Sequence, residues 1–159
     1  MGALVETEEY IIVYSVMRIE QLHTLTDRQT EDIQALMLEL APTIQVSTEM
    51  LHNVVGSNNT HFFVLMEDDG RIVGCASLCV FDSPTGRKAS VEDVVVLSSC
   101  RGLGYGRKLM GHIIEFAKKE LVPIDLHLTS NPKRVSANAL YKAVGFEQRE
   151  TNVYSIQIS

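Results

Sequence analysis

The feature that most constrains this chain is a change of periodicity near residue 100. Before it lie β-rich apolar runs, and from Leu109 the apolar residues recur with the 3.6-residue period of a helix. The two patterns are joined by the segment Arg101-Gly102-Leu103-Gly104-Tyr105-Gly106. A helix N-terminus offers unpaired N–H groups, and glycines permit close approach to them. The segment therefore predicts an anion site, with phosphate as its natural ligand; the alternative is a tight strand-to-helix connection.

Two familiar nucleotide loops do not fit this segment. A P-loop starting at Gly102 requires a second glycine after four intervening residues, and a dinucleotide fingerprint requires its third glycine at position 107. Arg107 breaks both patterns. Both loops also follow the first strand of a parallel unit, whereas the strands ahead of this segment are predicted to form an antiparallel meander.

The elements around the loop follow from local signals. The meander comprises strands 61–66, 71–80 and 88–96, joined by an Asp-Gly turn at 69–70 and a turn at 82–86. Ahead of it we predict a first strand within 10–16, a helix from Asp27 capped by Thr26 or Asp27, and a shorter helix after Ser47. Beyond Gly106 we predict a helix, a strand over 124–129, a helix over 135–144, and a closing strand from Val153 to Ile158.

The order β-α-α-β-β-β-α-β-α-β predicts an α/β (α+β) fold. Its central sheet is expected to be mixed and mostly antiparallel, with helices on both faces. At 159 residues with 45% apolar content, the chain has the size of one domain. We find no repeat or linker, so we expect a single domain over 1–159, with the acidic residues 1–9 as a loose tail.

Charge and cysteine content exclude several classes of function. A net charge of -6 argues against nucleic-acid binding, which needs a clustered basic face. No apolar run approaches the roughly 20 residues of a membrane helix. The three cysteines, odd in number and within or beside apolar runs, predict no disulfide framework and a cytoplasmic protein. The five histidines lack ligand spacing, so we expect no metal site.

Two ordered motifs indicate a family. The spacing Arg101-x-x-Gly104-x-Gly106 resembles the acetyl-CoA signature of the GNAT superfamily of N-acetyltransferases. The stretch from Ala137 to Phe146 resembles its second signature, Ala-x-x-Leu-Tyr-x-x-x-Gly-Phe. The resemblance is specific from about Ser90 to Phe146, and it implies the GNAT fold and acetyl-CoA as co-substrate.

The resemblance also implies a set of cofactor-binding residues. The backbone of the strand before the loop would pair with the pantetheine arm, and backbone N–H groups of the loop would hold the pyrophosphate. Arg134 stands where many relatives have asparagine, so the resemblance does not define which polar side chains near Arg134 contact the cofactor. The implied set is Val94, Val95, Val96, Arg101, Gly102, Leu103, Gly104, Tyr105, Gly106, Arg107, Lys108, Asn131, Arg134, Ser136 and Tyr141.

Two residues are implied as catalytic. Tyr141 matches the tyrosine that in many relatives lies near the cofactor sulfur and protonates the departing thiolate; the alternative is a tyrosine packed on the sheet. Glu92 stands where the superfamily often has a residue that relays the amine's proton, and it either acts as base or attracts an ammonium group. Strand alternation predicts that Asp93 faces the other side, where a structural charge is the favoured interpretation.

The implied activity is direct transfer of acetyl from acetyl-CoA to a primary amine of a small molecule or peptide. The acidic surface favours a cationic acceptor. The stretch from Val91 to Val96 also looks like the corresponding strand of glucosamine-6-phosphate N-acetyltransferases, which makes an amino-sugar acceptor one alternative. A non-catalytic acyl-CoA sensor is another, and a homodimer formed through the C-terminal strand is a further possibility.

Overall fold

The structure is a computed structural model, and it describes residues 17–159. The predicted tail, 1–9, and the predicted first strand, 10–16, lie outside the described residues. The elements, in chain order, are β1 (Arg18–Leu22), α1 (Asp27–Leu40), α2 (Thr48–Gly56), β2 (Thr60–Met66), β3 (Ile72–Ser83), β4 (Gly86–Val96), α3 (Tyr105–Glu120), β5 (Asp125–His127) and α4 (Val135–Ala143).

The five strands form one sheet in the order β1-β2-β3-β4-β5. The first three pairings are antiparallel and β4 pairs with β5 in parallel. This confirms the mixed, mostly antiparallel sheet. β1 is not predicted from the sequence. The polar residues of β1 acquire strand structure only by pairing with β2.

Helices cover both faces of the sheet, as predicted. On one face α1 and α2 contribute Ile33, Leu36 and Leu51 to a core that includes Val95 of β4. On the other face the core contains Leu109, Met110 and Ile113 of α3, and Tyr141 of α4. β4 is thus packed from both sides, which fixes the position of its C-terminal end.

Local chemistry sets the helix boundaries. The Thr26 hydroxyl accepts from the Gln29 amide, and the Gln29 side chain accepts from the Thr26 amide, forming a capping box for α1. The Ser47 hydroxyl accepts from the Met50 amide at 3.1 Å and caps α2. The predictions of both helix starts are confirmed.

The predicted closing strand from Val153 to Ile158 is wrong. The chain has no helix or strand after Ala143, and residues 151–159 are exposed. The apolar pattern of this segment suits a strand, but a strand also needs a hydrogen-bonded neighbour, and within the described chain none pairs with it.

Candidate active site

β4 and β5 separate as they run toward the glycine loop. Their parallel pairing covers only Lys88–Ser90 of β4 and Asp125–His127 of β5. Val94, Val95 and Val96 therefore have β3 on one side and, among the described residues, no strand on the other. Those of their N–H and C=O groups that bond neither to β3 nor to the Arg101 side chain line the opening, where an extended ligand can pair with them as an added strand.

A cleft of about 850 Å³ occupies this opening. It brings together residues from the end of β4, the glycine loop and the start of α4. Of the predicted site residues it is lined by Val94, Val95, Val96, Arg101, Gly102, Gly104, Tyr105, Gly106, Arg107, Arg134, Ser136 and Tyr141. Leu103, Lys108, Asn131 and Glu92 are not among its lining residues.

The glycines of the loop have distinct physical roles. Gly102 and Gly104 adopt left-handed backbone angles, with φ of 78° and 79°. Gly104 is the N-cap of α3 and supplies no capping side chain, so the first N–H groups of the helix stay available for an anion. A Cβ on Gly106 would lie 3.0 Å from Leu140 Cδ2, so this glycine lets α3 and α4 approach closely.

The basic residues near the loop divide into two groups. Arg107, Lys133 and Arg134 line the cleft and form no salt bridge with another described residue. Arg101 also lines it, but its Nε donates to the Val96 carbonyl at 3.2 Å. Lys108 points elsewhere, because its Nζ donates to the Met17 carbonyl at 2.6 Å.

Asn131 acts on the start of α4 from outside the cleft. Its side-chain oxygen accepts from the Lys133 amide at 2.9 Å, and its carbonyl accepts from the Arg134 amide at 2.9 Å. The Asn138 side chain donates to that same carbonyl at 2.9 Å. These bonds fix the turn that carries Arg134 into the cleft.

Tyr141 lies on the cleft wall formed by α4. Only 6% of it is exposed, and its ring packs edge-on toward Phe146. Burial raises the pKa of Tyr141, against a smaller lowering by the positive charge of Arg134. The hydroxyl therefore stays protonated through neutral pH, as a proton donor requires.

Glu92 and Asp93 lie at a β-bulge. Cys75 of β3 faces Val95 and Ser77 faces Glu92, so β4 has one extra residue here. Asp93 takes up the distortion with a φ of 52°, unusual for a residue other than glycine. The prediction of opposite faces rested on regular alternation, which the bulge interrupts.

The bulge groups the two carboxylates around one thiol. Burial raises the pKa of Cys79, a hydrogen bond with Thr60 lowers it by a smaller amount, and the negative charges of Glu92 and Asp93 add smaller increases. Glu92 accepts a hydrogen bond from the Ser90 hydroxyl. Asp93 makes no hydrogen bond or salt bridge with the described residues; burial, and then the charge of Glu92, raise its pKa. Asp93 is thus the carboxylate without a partner.

Comparison with protein families decides the class of the molecule. The model of the acetyltransferase (GNAT) family matches residues 20–146. This chain belongs to the GNAT family of acetyltransferases. It is therefore an acetyltransferase with acetyl-CoA as co-substrate.

Solved structures share the fold of this acetyltransferase. An acetyltransferase of Trypanosoma brucei is 23% identical over 89% of this chain and all of its own, with a TM-score of 0.70. The aminoglycoside N-acetyltransferase AAC(6')-Iy, solved with CoA, is 18% identical over 93% of this chain and 99% of its own, with a TM-score of 0.73. The enzyme AAC(6')-Ih of Acinetobacter baumannii is 17% identical over 91% and 99%, with a TM-score of 0.70.

The cleft of this acetyltransferase fits coenzyme A. A Cβ built at Gly102 or Gly104 meets no atom within 4 Å, which leaves room for a phosphate against the loop backbone. The free N–H groups of α3 and the cations Arg107, Lys133 and Arg134 suit its charge. The unpaired edge of β4 suits the amide groups of pantetheine.

Glu39 is a cleft residue of this acetyltransferase that the sequence does not indicate. Glu39 comes from the last turn of α1 and lines the cleft. Its carboxylate accepts from the Ser98 amide at 2.8 Å and from the Ser98 hydroxyl at 3.2 Å, and lies 3.5 Å from the Arg101 guanidinium. It thus ties α1 to the loop. A single acid 59 positions before its partner leaves no local signal.

Two features are absent from residues 17–159 of this acetyltransferase. No group of three or more His, Cys, Asp or Glu side chains is arranged to hold a metal ion. None of the described helices combines the length and apolar character needed to cross a membrane.

Proposed function

We propose that this acetyltransferase transfers the acetyl group of acetyl-CoA directly to a primary amine, using one domain that spans residues 1–159. The observation that carries the proposal is the free edge of β4. It leads from Val94 to Val96 into an uncapped helix N-terminus, and Tyr141 lies on the opposite wall of the same cleft. All three parts are needed to hold an acyl-CoA and protonate its thiolate.

The glycine loop and the end of β4 would bind and orient acetyl-CoA. N–H groups of residues 105–107 would hold the pyrophosphate, with Arg107 and Arg134 supplying charge. Arg101, already bonded to the Val96 carbonyl, would instead hold the loop in register with β4. Lys108 and Leu103 would have no direct role, since Lys108 bonds to Met17 and Leu103 is 62% exposed outside the cleft.

Acetyl-CoA supplies a thioester whose carbonyl carbon accepts the amine. The new N–C bond forms as the C–S bond breaks, the amine loses one proton, and the thiolate gains one from Tyr141. The phenol is suited to this because its raised pKa keeps the proton until the thiolate departs.

The proton lost by the amine would pass to the carboxylate pair at the bulge. Glu92 serves as base or attracts the ammonium form of the acceptor, as the resemblance implies. Asp93 is a second candidate for the same task, because its carboxylate has no hydrogen-bond or salt-bridge partner among the described residues and its raised pKa brings it nearer to neutrality. Neither residue lines the cofactor cleft, which suits a role toward the acceptor.

We propose a cationic primary amine as acceptor, with an amino sugar as the leading class. The paired carboxylates favour a positive charge. The stretch from Val91 to Val96 resembles amino-sugar enzymes, and AAC(6')-Iy and AAC(6')-Ih act on aminoglycosides, which carry amino sugars. The three cysteines are unpaired, which supports the cytoplasm as the compartment.

The test is calorimetric titration with acetyl-CoA, CoA and NAD, followed by thiol release with a panel of amines. The panel contains glucosamine 6-phosphate, an aminoglycoside, a polyamine and a lysine peptide. We expect both CoA forms to bind, NAD not to bind, and an amino sugar to release thiol fastest. Failure of both CoA forms to bind would overturn the cofactor assignment; release only with the lysine peptide would overturn the acceptor class.

A further inference from the structure

The sheet face that packs against α1 and α2 is only partly covered by those helices. Phe62, Cys75 and Val95 on this face belong to the core formed with α1 and α2. Strand alternation places Cys79 and Phe81 of β3 on the same face as Cys75. Cys79 is half-buried, Phe81 is 45% exposed, and neither belongs to a hydrophobic core of the described residues. The face therefore continues past the core as a partly open surface.

A row of polar residues crosses this open part of the face. Thr60 of β2 lies opposite Cys79 of β3, and Cys79 lies opposite Ser90 of β4. Ser90 in turn lies opposite His127 of β5. Directly paired residues place their side chains on the same face of a sheet, so the row spans four strands. Side chains from four strands can therefore contact one ligand on this surface.

A buried hydroxyl lies beside the carboxylates of the β-bulge. Ser77 is 5% exposed and lies opposite Glu92. Its side chain makes no hydrogen bond with the described residues, although its oxygen is not fully enclosed. A buried hydroxyl without a partner costs free energy, and a ligand that bonds to it removes that cost. Ser77, Glu92 and the neighbouring Asp93 thus suit a ligand that carries hydroxyl and ammonium groups.

Two aromatic rings border the same surface. The ring centroids of Phe81 and His127 are 6.0 Å apart, and their planes meet at 82°. The two rings form a corner beside the hydroxyl and the carboxylates. The C–H groups on the face of a sugar ring pack well against an aromatic ring, while the hydroxyl and amine groups of the sugar bond to polar side chains. An open-chain amine has no comparable rigid face.

This surface adjoins the reacting end of the cofactor cleft. Glu92 and Asp93 directly precede Val94, which lines the cleft. With the pyrophosphate at the glycine loop, an extended pantetheine follows β4 from Val96 toward Val94. The thioester would then lie beside the two carboxylates, so an amine bound to them would be close to the carbon that it attacks.

We infer, on the basis of the proposed function, that this surface binds the acceptor and selects a cyclic amino sugar over an open-chain amine. The acceptor platform is defined as Ser77, Cys79, Phe81, Glu92, Asp93 and His127. The carboxylates and Ser77 bind the amine and a neighbouring hydroxyl. Phe81 packs against the ring and thereby determines specificity.

The first experiment measures acetyl transfer to neamine, which contains an amino-sugar ring, and to spermidine, an open-chain amine. In Phe81→Ala we expect kcat/KM for neamine to fall about tenfold through KM, as for the loss of one aromatic contact. The value for spermidine and the Kd of CoA should change little, and Phe81→Tyr should keep the activity toward neamine. Leu38→Ala, at a 55% exposed position on α1, is the control and should match the unmodified enzyme.

The second experiment needs neither turnover nor a variant. Cys79 lies on the platform and Cys100 lines the cofactor cleft, and both thiols are half-buried. Alkylation by iodoacetamide at about pH 9, where thiolate forms, is followed at each cysteine by peptide mass spectrometry. Neamine at a tenfold excess over its Kd should slow alkylation of Cys79 by roughly tenfold, because only the free protein reacts. It should leave Cys100 unchanged, whereas CoA should slow Cys100.

Two results would overturn the inference. One is saturating neamine that leaves the alkylation rate of Cys79 unchanged. The other is a Phe81→Ala enzyme that keeps the full preference for neamine over spermidine; acetyl transfer itself would then stand. If no amine is acetylated while CoA still protects Cys100, the proposed function fails. The alkylation of Cys79 then decides by itself whether the platform binds an amino sugar.

Discussion

At the scale of single residues, the proposed chemistry depends on two groups whose pKa values are raised by their surroundings. Tyr141 and Asp93 both have raised pKa values, and in both the largest cause is loss of hydration, although Asp93 is much more exposed than Tyr141. For Tyr141 the effect preserves an acid. For Asp93 it moves a carboxylate toward the range where a base accepts protons readily.

Tyr141→Phe tests the acid. We expect kcat to fall by about 100-fold, the lower range for general acid catalysis, while the Kd of acetyl-CoA changes little. Thiol release and calorimetry measure the two quantities. Tyr154→Phe alters an 88% exposed tyrosine near the C-terminus. It serves as the control and should keep full activity. A Tyr141→Phe enzyme with normal kcat would refute the assignment.

Asp93→Asn tests the base, with Asp82→Asn on the exposed β3–β4 hairpin as control. We expect kcat/KM near pH 7 to fall by about 100-fold in Asp93→Asn and to change little in Asp82→Asn. Glu92→Gln separates the two carboxylates. If Glu92→Gln abolishes turnover and Asp93→Asn remains active, Glu92 is the base.

The raised pKa of Asp93 also predicts that the stability of the protein changes with pH. Its folded pKa lies above the ordinary value of 3.8, so the folded protein binds this proton more tightly than the unfolded chain. Stability from this group is present below pH 3.8 and is lost as pH rises through the folded pKa. Asp93→Asn should therefore raise the Tm at pH 7 and lose that advantage near pH 3.5. An equal effect at both pH values would contradict this origin.

At the scale of elements, the connection from β4 to α3 carries the cofactor chemistry. Its glycines, its uncapped helix start and the Glu39 contacts act together. The sequence predicts the loop and the helix caps because each depends on neighbours within a few positions, as at Thr26 and Ser47. It does not predict Glu39, whose partner is far along the chain, or the bulge at Asp93, because one extra residue leaves the apolar pattern of β4 recognisable.

Gly104→Ala tests the loop, with Gly70→Ala as its matched control. Both glycines have positive φ, 79° and 83°, and both have open space around a Cβ. Each substitution should cost about 1–2 kcal/mol of unfolding free energy through backbone strain. Only Gly104→Ala should also weaken acetyl-CoA binding, by about tenfold. Equal affinities in the two variants would show that the loop backbone does not hold the ligand.

At the scale of the whole molecule, the central meander of the sheet is predictable from the sequence and the two ends of the sheet are not. The meander follows from turns such as Asp69-Gly70, which are local. β1 depends on pairing with β2, and residues 151–159 pair with no strand among the described residues. A strand-like sequence pattern does not form a strand without a hydrogen-bonded neighbour. The pattern from Val153 to Ile158 therefore predicts a strand, but the segment is not a strand in this structure.

The separation of β4 from β5 has a consequence for the life of the protein in a cell. A ligand that completes the sheet stabilises only the folded state, so its concentration adds to the unfolding free energy, by about 2.7 kcal/mol at a hundredfold excess over Kd. Such an enzyme unfolds, and is degraded, more readily when acetyl-CoA is scarce.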